Sequence, residues 1–321
     1  MYKRSIWKDC INRNVILRKE LFFMNKAKTI LFTTLIAAAV FPLSSCDSSS
    51  NNLAIVHFEQ SILGESQKDL SVSIGVQKDS DLTDKINSVL ATISTDERNT
   101  LMTEATERST SLEQVQGDDG DEVLTEAPYD ESKETLIVGM EANYTPFNWT
   151  ETSPSSYTYP LFDKTGVYAD GYDVQIAKMC AEALGYNLII KQLTWDSLIP
   201  ALSSGDINMI IAGMTDTEER RLSIDFTDPY YTSELVLVVS ADSDLADMTD
   251  LSELNGKKVV SQIQTVTDDV IENVLVPDYG AIHQSALKTF SACATAVQTG
   301  VADAMTAEYP VAVSLVNGTN N

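Results

Sequence analysis

The chain has 321 residues, of which 43% are hydrophobic and 21% are charged, a balance that suits one or two globular domains with a proper core. Its formal net charge of −25 argues against nucleic acid as a partner. Four cysteines without C-x-x-C spacing argue against a zinc site. The two histidines, His57 and His283, lie in apolar settings and give little support to a histidine-based triad. We therefore expect no metal and no cofactor.

Residues 1–46 are predicted to be an export signal. Residues 24–28 form a basic start, and residues 29–43 form an apolar run of 15 residues. That run is short of the roughly 20 residues that a membrane span needs. It ends in Leu-Ser-Ser-Cys, which resembles a bacterial lipobox with Cys46 as the lipid attachment point. We expect translation to start at Met24 and the mature protein to be extracytoplasmic, anchored to the bacterial cell membrane through Cys46. An uncleaved anchor is the alternative.

A Ser/Asn tether over residues 47–52 precedes a segment with ordered signals, residues 53–108. In that segment LAIVHF and SVSIGV predict two strands, and residues 82–107 predict one helix. Residues 109–134 then show no apolar period. From residue 117 this stretch carries eight acids against one lysine, which predicts a solvated linker.

Strands and helices alternate from residue 135. Residues 135–235 begin with the strand LIVGM and an amphipathic helix near residues 174–184, which Gly185 ends. The strand NLIIKQL, a helix over residues 196–204 and the strand INMIIA complete a β-α-β-α-β order. This order predicts a parallel sheet with a ligand site at the carboxyl ends of its strands.

Residues 236–321 form a second unit of the same kind. A strand ELVLVVS leads into a helix near Leu251 and the strand KKVVSQI. Thr265, with Asp268 three residues later, has the spacing of a helix capping box. A strand near Ala281, the helix SACATAVQTG and the strand VADAMTA follow. The predicted fold class is therefore α/β, with two lobes and a ligand cleft between them.

The stretch from Gly205 to Tyr231 carries the most specific functional signal. Its apolar run delivers Gly213, Thr215 and Arg220 to one loop and the start of a helix. Glycine permits close backbone approach to a ligand, and arginine offers a fork of donors that matches a carboxylate. With its F-T-D-P-Y-Y ending, the stretch resembles the ligand loop of the periplasmic amino-acid-binding proteins, the type 2 periplasmic binding proteins of solute-binding family 3. The resemblance covers residues 135–316.

This resemblance implies a receptor that captures a free amino acid by lobe closure and delivers it to the permease of an ABC importer. Arg220 is then the expected clamp for the ligand carboxylate. Thr215 adds a backbone N–H and a hydroxyl, and Thr265 adds donors at a helix start. For the ligand ammonium, the resemblance implies the carbonyl of Gly213 and the carboxylate of Glu308, where many family members carry aspartate.

The side chain of the ligand is expected to meet Glu141, Tyr144 and Trp195. The resemblance implies that Glu141 contacts the ligand side chain and that the two aromatic residues cover the two faces of that side chain. These residues favour a polar or cationic amino acid. One position departs from the family: Gln264 replaces a glycine, which puts a backbone contact there in doubt and offers its amide to the pocket instead. The long insert at residues 150–170 is expected to form a flap.

The order of the segments is the second departure from the family. There, a further segment follows the part matched by residues 135–316 and completes both lobes. Residues 53–108 resemble that segment, so we expect a circularly permuted chain joined by the linker at residues 109–134. A flexible linker of ~26 residues spans roughly 28 Å, enough to join the termini of a compact domain. A truncated tandem fusion and a gene-assembly artefact are the alternatives.

The permuted order predicts particular strand pairings. The strand at Leu53–Phe58 should pair in the second lobe and the strand at Ser71–Val76 in the first. The helix after Leu82 should pack on the first lobe beside the strand LIVGM.

Two other functions remain open. Some proteins of this fold are periplasmic dehydratases of cyclohexadienyl acids such as arogenate, and Glu141 is the candidate general acid for such a reaction. A sensor or inactive domain is the other possibility. We expect a binding protein and not an enzyme, since the sequence shows no nucleophile–base pair, metal spacing or phosphate loop.

Overall fold

The computed structural model describes residues 52–64, 70–111 and 122–320, without the side chains of residues 319 and 320. The predicted export signal with Cys46, and the linker residues 112–121, lie outside these ranges. Within them, no helix combines the length and the apolar character that crossing a membrane requires. The same residues contain no group of His, Cys, Asp and Glu side chains arranged to hold a metal ion.

The described part of the chain alternates strands and helices. The strands are β1 Leu53–Val56, β2 Leu70–Val76, β3 Thr135–Met140, β4 Trp149–Glu151, β5 Tyr159–Pro160, β6 Tyr168–Asp170, β7 Asn187–Gln192, β8 Met209–Ile210, β9 Asp225–Ser233, β10 Leu235–Ser240, β11 Lys258–Val260, β12 Ile282–His283 and β13 Ala304–Glu308. The helices are α1 Leu82–Leu90, α2 Thr95–Thr110, α3 Tyr172–Leu184, α4 Leu198–Ser204, α5 Glu218–Arg221, α6 Val266–Val270, α7 Val276–Tyr279, α8 Phe290–Gln298 and α9 Tyr309–Asn320. A π-helical turn, Ile271–Leu275, joins α6 to α7, and 3-10 turns lie at Gln60–Leu63, Trp195–Ser197, Asp244–Asp247 and Leu251–Leu254.

The first lobe is built on a five-stranded sheet in the order β7-β3-β8-β2-β9. Strands β7, β3 and β8 are parallel, as the β-α-β-α-β order predicts, whereas β2 and β9 run antiparallel to their neighbours. Helix α3 begins after Gly171 and ends at Gly185, which takes the left-handed conformation that a helix C-cap favours. All seven residues of β2 are buried, so this strand is part of the core of the lobe.

The second lobe is built on a sheet in the order β1-β10-β13-β11-β12. Strand β1 pairs antiparallel with β10, while β2 lies between β8 and β9 of the first lobe. The strand pairing expected for residues 53–108 is therefore present. The predicted single helix is in fact two, because the side chain of Ser94 accepts from the Glu97 N–H and starts α2 as a new helix. Helices α1 and α2 both contact α3, and α1 also contacts β9.

A buried ion pair ties α2 to the insert at residues 150–170. The guanidinium of Arg108 donates to both carboxylate oxygens of Asp170, at 3.0 and 3.2 Å, and both side chains are almost fully buried. The same guanidinium lies 4.0 Å from the centre of the Tyr157 ring. The insert itself forms a small sheet in the order β4-β6-β5 and pairs with the edge strand β7 at Leu161. It is therefore fastened to the first lobe both at α2 and at β7.

In the order of the described strands, the chain passes between the two lobes twice, once from β1 to β2 and once from β9 to β10. The side-chain amide of Gln60 joins these two crossings: its Nε2 donates to the Leu235 carbonyl at 2.9 Å, and its Oε1 accepts from the Leu235 N–H at 2.9 Å. The predicted helix near Leu251 is only a short 3-10 turn, closed by a capping box between Asp250 and Glu253.

Because β2 separates β8 from β9, we expect residues 130–321 expressed alone to be insoluble or unfolded. Residues 47–321 should unfold in one cooperative transition, measured by circular dichroism during heating. Co-expression of residues 47–111 with residues 122–321 is the matched control, since it restores the missing strands without the linker. A stably folded 130–321 fragment would show that residues 53–108 are not needed to complete the core.

Candidate functional site

Seven of the predicted site residues converge on one cavity between the lobes. Its volume is about 10 Å³, close to the space needed by a single water molecule. The predicted residues that line it are Glu141, Tyr144, Trp195, Gly213, Thr215, Arg220 and Thr265, and the sequence analysis had not selected the other three, Gln262, Val266 and Phe290. Of the two remaining predicted residues, Glu308 reaches the cavity through a hydrogen bond to Tyr144, and Gln264 lies outside it.

Arg220 lies in the short helix α5, which Thr217 caps by accepting from the Arg220 N–H. Its guanidinium donates to two backbone carbonyls, that of Thr215 in the first lobe at 2.6 Å and that of Gln264 in the second lobe at 3.0 Å. Burial lowers the pKa of Arg220, and the carboxylates of Asp269, Glu219, Glu308 and Asp216 act in the opposite direction. The group stays a cation at neutral pH, because arginine ordinarily titrates far above it.

Glu308 stands at the end of β13 and is buried against the first lobe. The hydroxyl of Tyr144 donates to its Oε2 at 2.5 Å. Burial raises the pKa of Glu308, while this hydrogen bond and the charge of Arg220 lower it. The pKa of Tyr144 is raised well above its ordinary value, chiefly by burial and by the charge of Glu308, so its hydroxyl keeps the proton that it donates. Tyr144 in turn stacks between Phe147 and Phe290.

Glu141, which is only 8% exposed, meets the second lobe through Gln262. The Gln262 amide donates to both Glu141 carboxylate oxygens, at 3.1 and 3.2 Å, and to the Lys288 carbonyl at 2.8 Å. Burial raises the pKa of Glu141 to about 7, against the effect of the Gln262 hydrogen bond, and the nearby charge of Asp196 raises it further. Gln262 was not among the predicted site residues, because the signal in this part of the sequence was the replacement of a glycine by Gln264.

The backbone carbonyl of Gln264 makes two contacts that the sequence analysis did not predict. The sequence put a backbone contact there in doubt because glutamine replaces glycine. In the structure Gln264 takes a left-handed conformation, with φ of 61°, and its carbonyl accepts from both Trp195 Nε1 at 3.1 Å and Arg220 Nη2 at 3.0 Å. Thr265 then caps helix α6 as predicted, its hydroxyl accepting from the Asp268 N–H.

A buried carboxylate missed by the sequence analysis holds the two first-lobe loops of the site. Asp173, in the first turn of α3, accepts from the Tyr230 hydroxyl and from the Asn148 amide, each at 2.6 Å. Tyr230 in turn accepts from the Gly213 N–H at 3.0 Å, and Asn148 accepts from the Ala142 N–H at 2.7 Å. Burial raises the pKa of Asp173 to about 7, although both side-chain hydrogen bonds oppose the rise.

Two larger spaces open on either side of the contact between Trp195 and Gln264. One, of about 630 Å³, is lined by Glu141, Asp196, Lys288 and Lys164 among others. The other, of about 610 Å³, is lined by Arg220, Glu219, Asp269 and Leu222 among others. Trp195 and Gln264 line both. The insert at residues 150–170 contributes Lys164 to the first space, while its sheet is fastened to the edge of the first lobe.

Two α/β lobes that meet around an arginine and two buried carboxylates define a solute-binding protein of the two-lobed class. The sequence profile of the bacterial extracellular solute-binding proteins, family 3, matches residues 136–307, and the chain belongs to that family.

Individual relatives are also similar to this chain. The arginine-binding extracellular protein ArtP of Bacillus subtilis (strain 168) is 33% identical over 148 residues, covering 46% of this chain and 51% of ArtP. A probable histidine-binding protein of Campylobacter jejuni is 32% identical over 140 residues, covering 44% of this chain and 48% of the relative. The chain thus spans about half the length of the curated relatives it matches.

Among solved structures, an ancestral arginine-binding protein bound to arginine is 31% identical to this chain. The match covers 59% of this chain and 76% of that protein, with a TM-score of 0.49.

Gly213 offers a direct test of the site geometry. It has a φ of 59°, and a Cβ built there would lie 2.5 Å from Cε1 of Tyr144. We expect Gly213→Ala to push Tyr144 away from Glu308 and to lower the free energy of unfolding by about 1–3 kcal/mol, measured by urea denaturation.

Gly166→Ala is the control, because Gly166 has a similar φ of 71° and no atom within 4 Å of a built Cβ. It should cost only the backbone strain, about 1 kcal/mol. Equal losses in the two variants would mean that the contact with Tyr144 is unimportant.

Proposed function

We propose that this chain is an extracytoplasmic receptor that captures an L-amino acid between its lobes. The observation that carries this proposal is the placement of two opposite charges at one cavity: the Arg220 guanidinium lines it, and the Glu308 carboxylate reaches it through its hydrogen bond with Tyr144. An amino acid presents the complementary pair, a carboxylate and an ammonium group. Arg220 has N–H groups to spare, since two carbonyls take only two of its five donors.

Binding in this cleft is an exchange of hydrogen bonds. The cavity of about 10 Å³ holds no amino acid while Tyr144 donates to Glu308 and Gln262 donates to Glu141. Parting of the lobes frees these four groups for the ligand. The ammonium then takes the place of the Tyr144 hydroxyl at Glu308, and the ligand side chain takes the place of Gln262 at Glu141. Lobe closure excludes water and strengthens the remaining polar contacts.

The side-chain end of the cleft favours a polar or cationic amino acid. Glu141 supplies a buried carboxylate, and Trp195 and Tyr144 supply aromatic faces beside it. A guanidinium, ammonium or amide satisfies this carboxylate, while an aliphatic side chain would leave it without a partner. Relatives named for binding arginine, histidine and glutamine support the same choice.

The proposal is tested by calorimetry with a panel of amino acids on residues 47–321. Arginine, lysine, histidine or glutamine should bind, and leucine and valine should be silent. A ligand at 100 times its dissociation constant should add about 2.7 kcal/mol of stability. Arg220→Ala should weaken the best ligand by roughly 3–5 kcal/mol, about 100- to 4000-fold, because a carboxylate in the closed cleft loses its partner.

Arg221→Ala is the matched control for Arg220→Ala. Arg221 is the next residue of the same helix, its side chain is 62% exposed, and it pairs with Asp216 outside the cavity. We expect the affinity of the Arg221→Ala variant for the best ligand to stay within about twofold of the parent, because surface ion pairs contribute little free energy. An Arg220→Ala protein that binds as tightly as Arg221→Ala would remove the carboxylate clamp from the proposal.

The raised pKa of Glu141 predicts that binding of a cationic ligand depends on pH. The carboxyl group is ionised above its pKa of about 7 and neutral below it. Arginine should therefore bind about tenfold more weakly at pH 6 than at pH 8. Asp173 also titrates near pH 7, and Glu308 has a raised pKa, so Glu141→Gln is the needed comparison. Glu141→Gln should bind arginine weakly at both pH 6 and pH 8, and its affinity should depend little on pH. An unchanged pH profile would assign the effect to another group.

We further propose that the receptor delivers its ligand to the permease of an ABC importer and is held to the membrane by a lipid on Cys46. The first point rests on the family and on relatives such as the ABC transporter glutamine-binding protein GlnH of Bacillus subtilis. The second rests on the lipobox-like sequence ending at Cys46. Labelling of the expressed full chain with a radioactive fatty acid, lost in Cys46→Ala, tests it.

We also propose that the chain order is a circular permutation of the family order. Its support is the antiparallel pairing of β1 with β10, of β2 with β8 and β9, and the buried contact of Arg108 with Asp170. These contacts supply each sheet with a strand that residues 135–321 do not provide.

An enzyme on the same fold is the second candidate function. The observation in its favour is the pKa of Glu141, since a carboxyl group titrating at about 7 suits a general acid at neutral pH. Turnover of arogenate or prephenate, absent in Glu141→Gln, would support it. Binding of amino acids without any turnover supports the receptor instead. A protein that neither binds nor turns over these compounds would be a sensor or inactive domain.

A further inference from the structure

One backbone carbonyl of the second lobe is held by two side chains of the first. The oxygen of Gln264 accepts from Trp195 Nε1 at 3.1 Å and from Arg220 Nη2 at 3.0 Å. The guanidinium of Arg220 also lies 5.3 Å from the centre of the Trp195 ring. The sequence analysis gave Trp195 only the role of a pocket wall, and it left a backbone contact at Gln264 in doubt.

We propose that this carbonyl is the latch of the closed cleft, and that Trp195 and the left-handed backbone of Gln264 are its positioning residues. The inference rests on the proposed function, because it explains how the lobes stay closed over a ligand. Trp195 lines the inner cavity and both outer spaces, and Gln264 lines both outer spaces. The contact between them therefore joins the two lobes at the mouth of the cleft.

The latch and a ligand carboxylate can be held at the same time. The guanidinium has five N–H donors, and its two described contacts to the carbonyls of Thr215 and Gln264 use one donor each. Trp195 contributes its single N–H to the latch and keeps its ring for the wall of the pocket. Closing the latch thus orients Arg220 with its remaining donors available, so closure and carboxylate binding support each other.

The conformation of Gln264 is what aims its carbonyl across the cleft. With φ of 61° it adopts a region that glycine enters freely and other residues disfavour. The next residue, Thr265, returns to an extended conformation and caps α6, which fixes the loop from its other side. The contact therefore depends on the backbone of residue 264 and not on its side-chain amide.

Trp195→Phe distinguishes the two roles of Trp195, because phenylalanine keeps an aromatic ring for the wall of the pocket and loses the N–H donor of the latch. We expect its affinity for L-arginine, measured by calorimetry, to fall about 3- to 10-fold, the effect of one lost hydrogen bond. Spin labels on Glu182→Cys in the first lobe and Ser252→Cys in the second report the distance between the lobes. In Trp195→Phe this distribution should shift toward the open form.

Gln264→Gly and Gln264→Val test the backbone part of the inference, since both lack the amide. Glycine adopts the left-handed conformation, so the affinity of Gln264→Gly for L-arginine should stay within about twofold of the parent. Valine resists that conformation, so Gln264→Val should bind L-arginine at least about tenfold more weakly and should have more open lobes. Equal losses in both variants, or no loss in either, would overturn the assignment to the backbone. Thermal melts show whether the valine variant is folded, and Trp195→Phe remains informative if it is not.

The outcomes separate this inference from the proposed function. A parent protein that binds none of the amino acids in the panel would refute amino-acid capture, and the spin-label distances would still test the latch. A parent that binds L-arginine, with Trp195→Phe within twofold of it and equally closed, would refute the latch alone.

Discussion

The carboxylate of Asp173 joins the two loops that form the first-lobe side of the cleft. Through Asn148 it positions the loop after β3, which carries Glu141 and Tyr144, and through Tyr230 it positions the backbone of Gly213. A buried carboxylate is costly unless its oxygens are hydrogen-bonded, so its donors are held in place as firmly as the acid itself. Glu141, Tyr144 and Gly213, which line the cavity, are therefore positioned through these hydrogen bonds. Loss of either donor would leave a buried charge partly unsatisfied and would loosen both loops together.

The buried carboxylates of the cleft already have hydrogen-bond partners, and this would set the energetics of the proposed capture. Tyr144 satisfies Glu308, Gln262 satisfies Glu141, and two carbonyls satisfy part of Arg220. In the proposed exchange a ligand would replace protein–protein hydrogen bonds with protein–ligand ones, so its net gain would be smaller than a sum of its contacts suggests. Selectivity then depends on which ligand restores every hydrogen bond that it breaks. A ligand without a donor for Glu141 would leave a buried carboxylate unpaired, which is a penalty and not merely a missing contribution.

Much of the fold could be predicted because its signals are local. Apolar periodicity and the stop at Gly185 defined α3, and β-branched runs defined β3, β7 and β10. The break between α1 and α2 also had a local signal, since Ser94 stands three residues before Glu97, the spacing of a capped helix start. The single helix predicted over residues 82–107 overlooked that cap.

The candidate site was predictable only where a motif marked it. Arg220 and Glu141 stood in recognisable contexts, and the structure places them on one cavity. Asp173 did not, because an acid in the first turn of a helix is usually explained by the helix dipole. Gln262 did not either, because its role depends on a partner 121 residues away in the sequence. Contacts of that kind follow from the tertiary arrangement of the lobes, which no local pattern contains.

The amide of Gln60 gives the connection between the lobes an unusual mechanical character. It satisfies both the N–H and the carbonyl of Leu235, as a neighbouring strand would, yet it does so from the end of a side chain. A strand pairing resists twisting because successive peptide groups are fixed to one backbone. A glutamine amide reaches its partners through three rotatable bonds, and here it also donates to the Phe58 carbonyl at 3.0 Å. The link between the two crossings therefore belongs to one side chain, and a single substitution at residue 60 would remove it without changing the backbone pairing of either sheet.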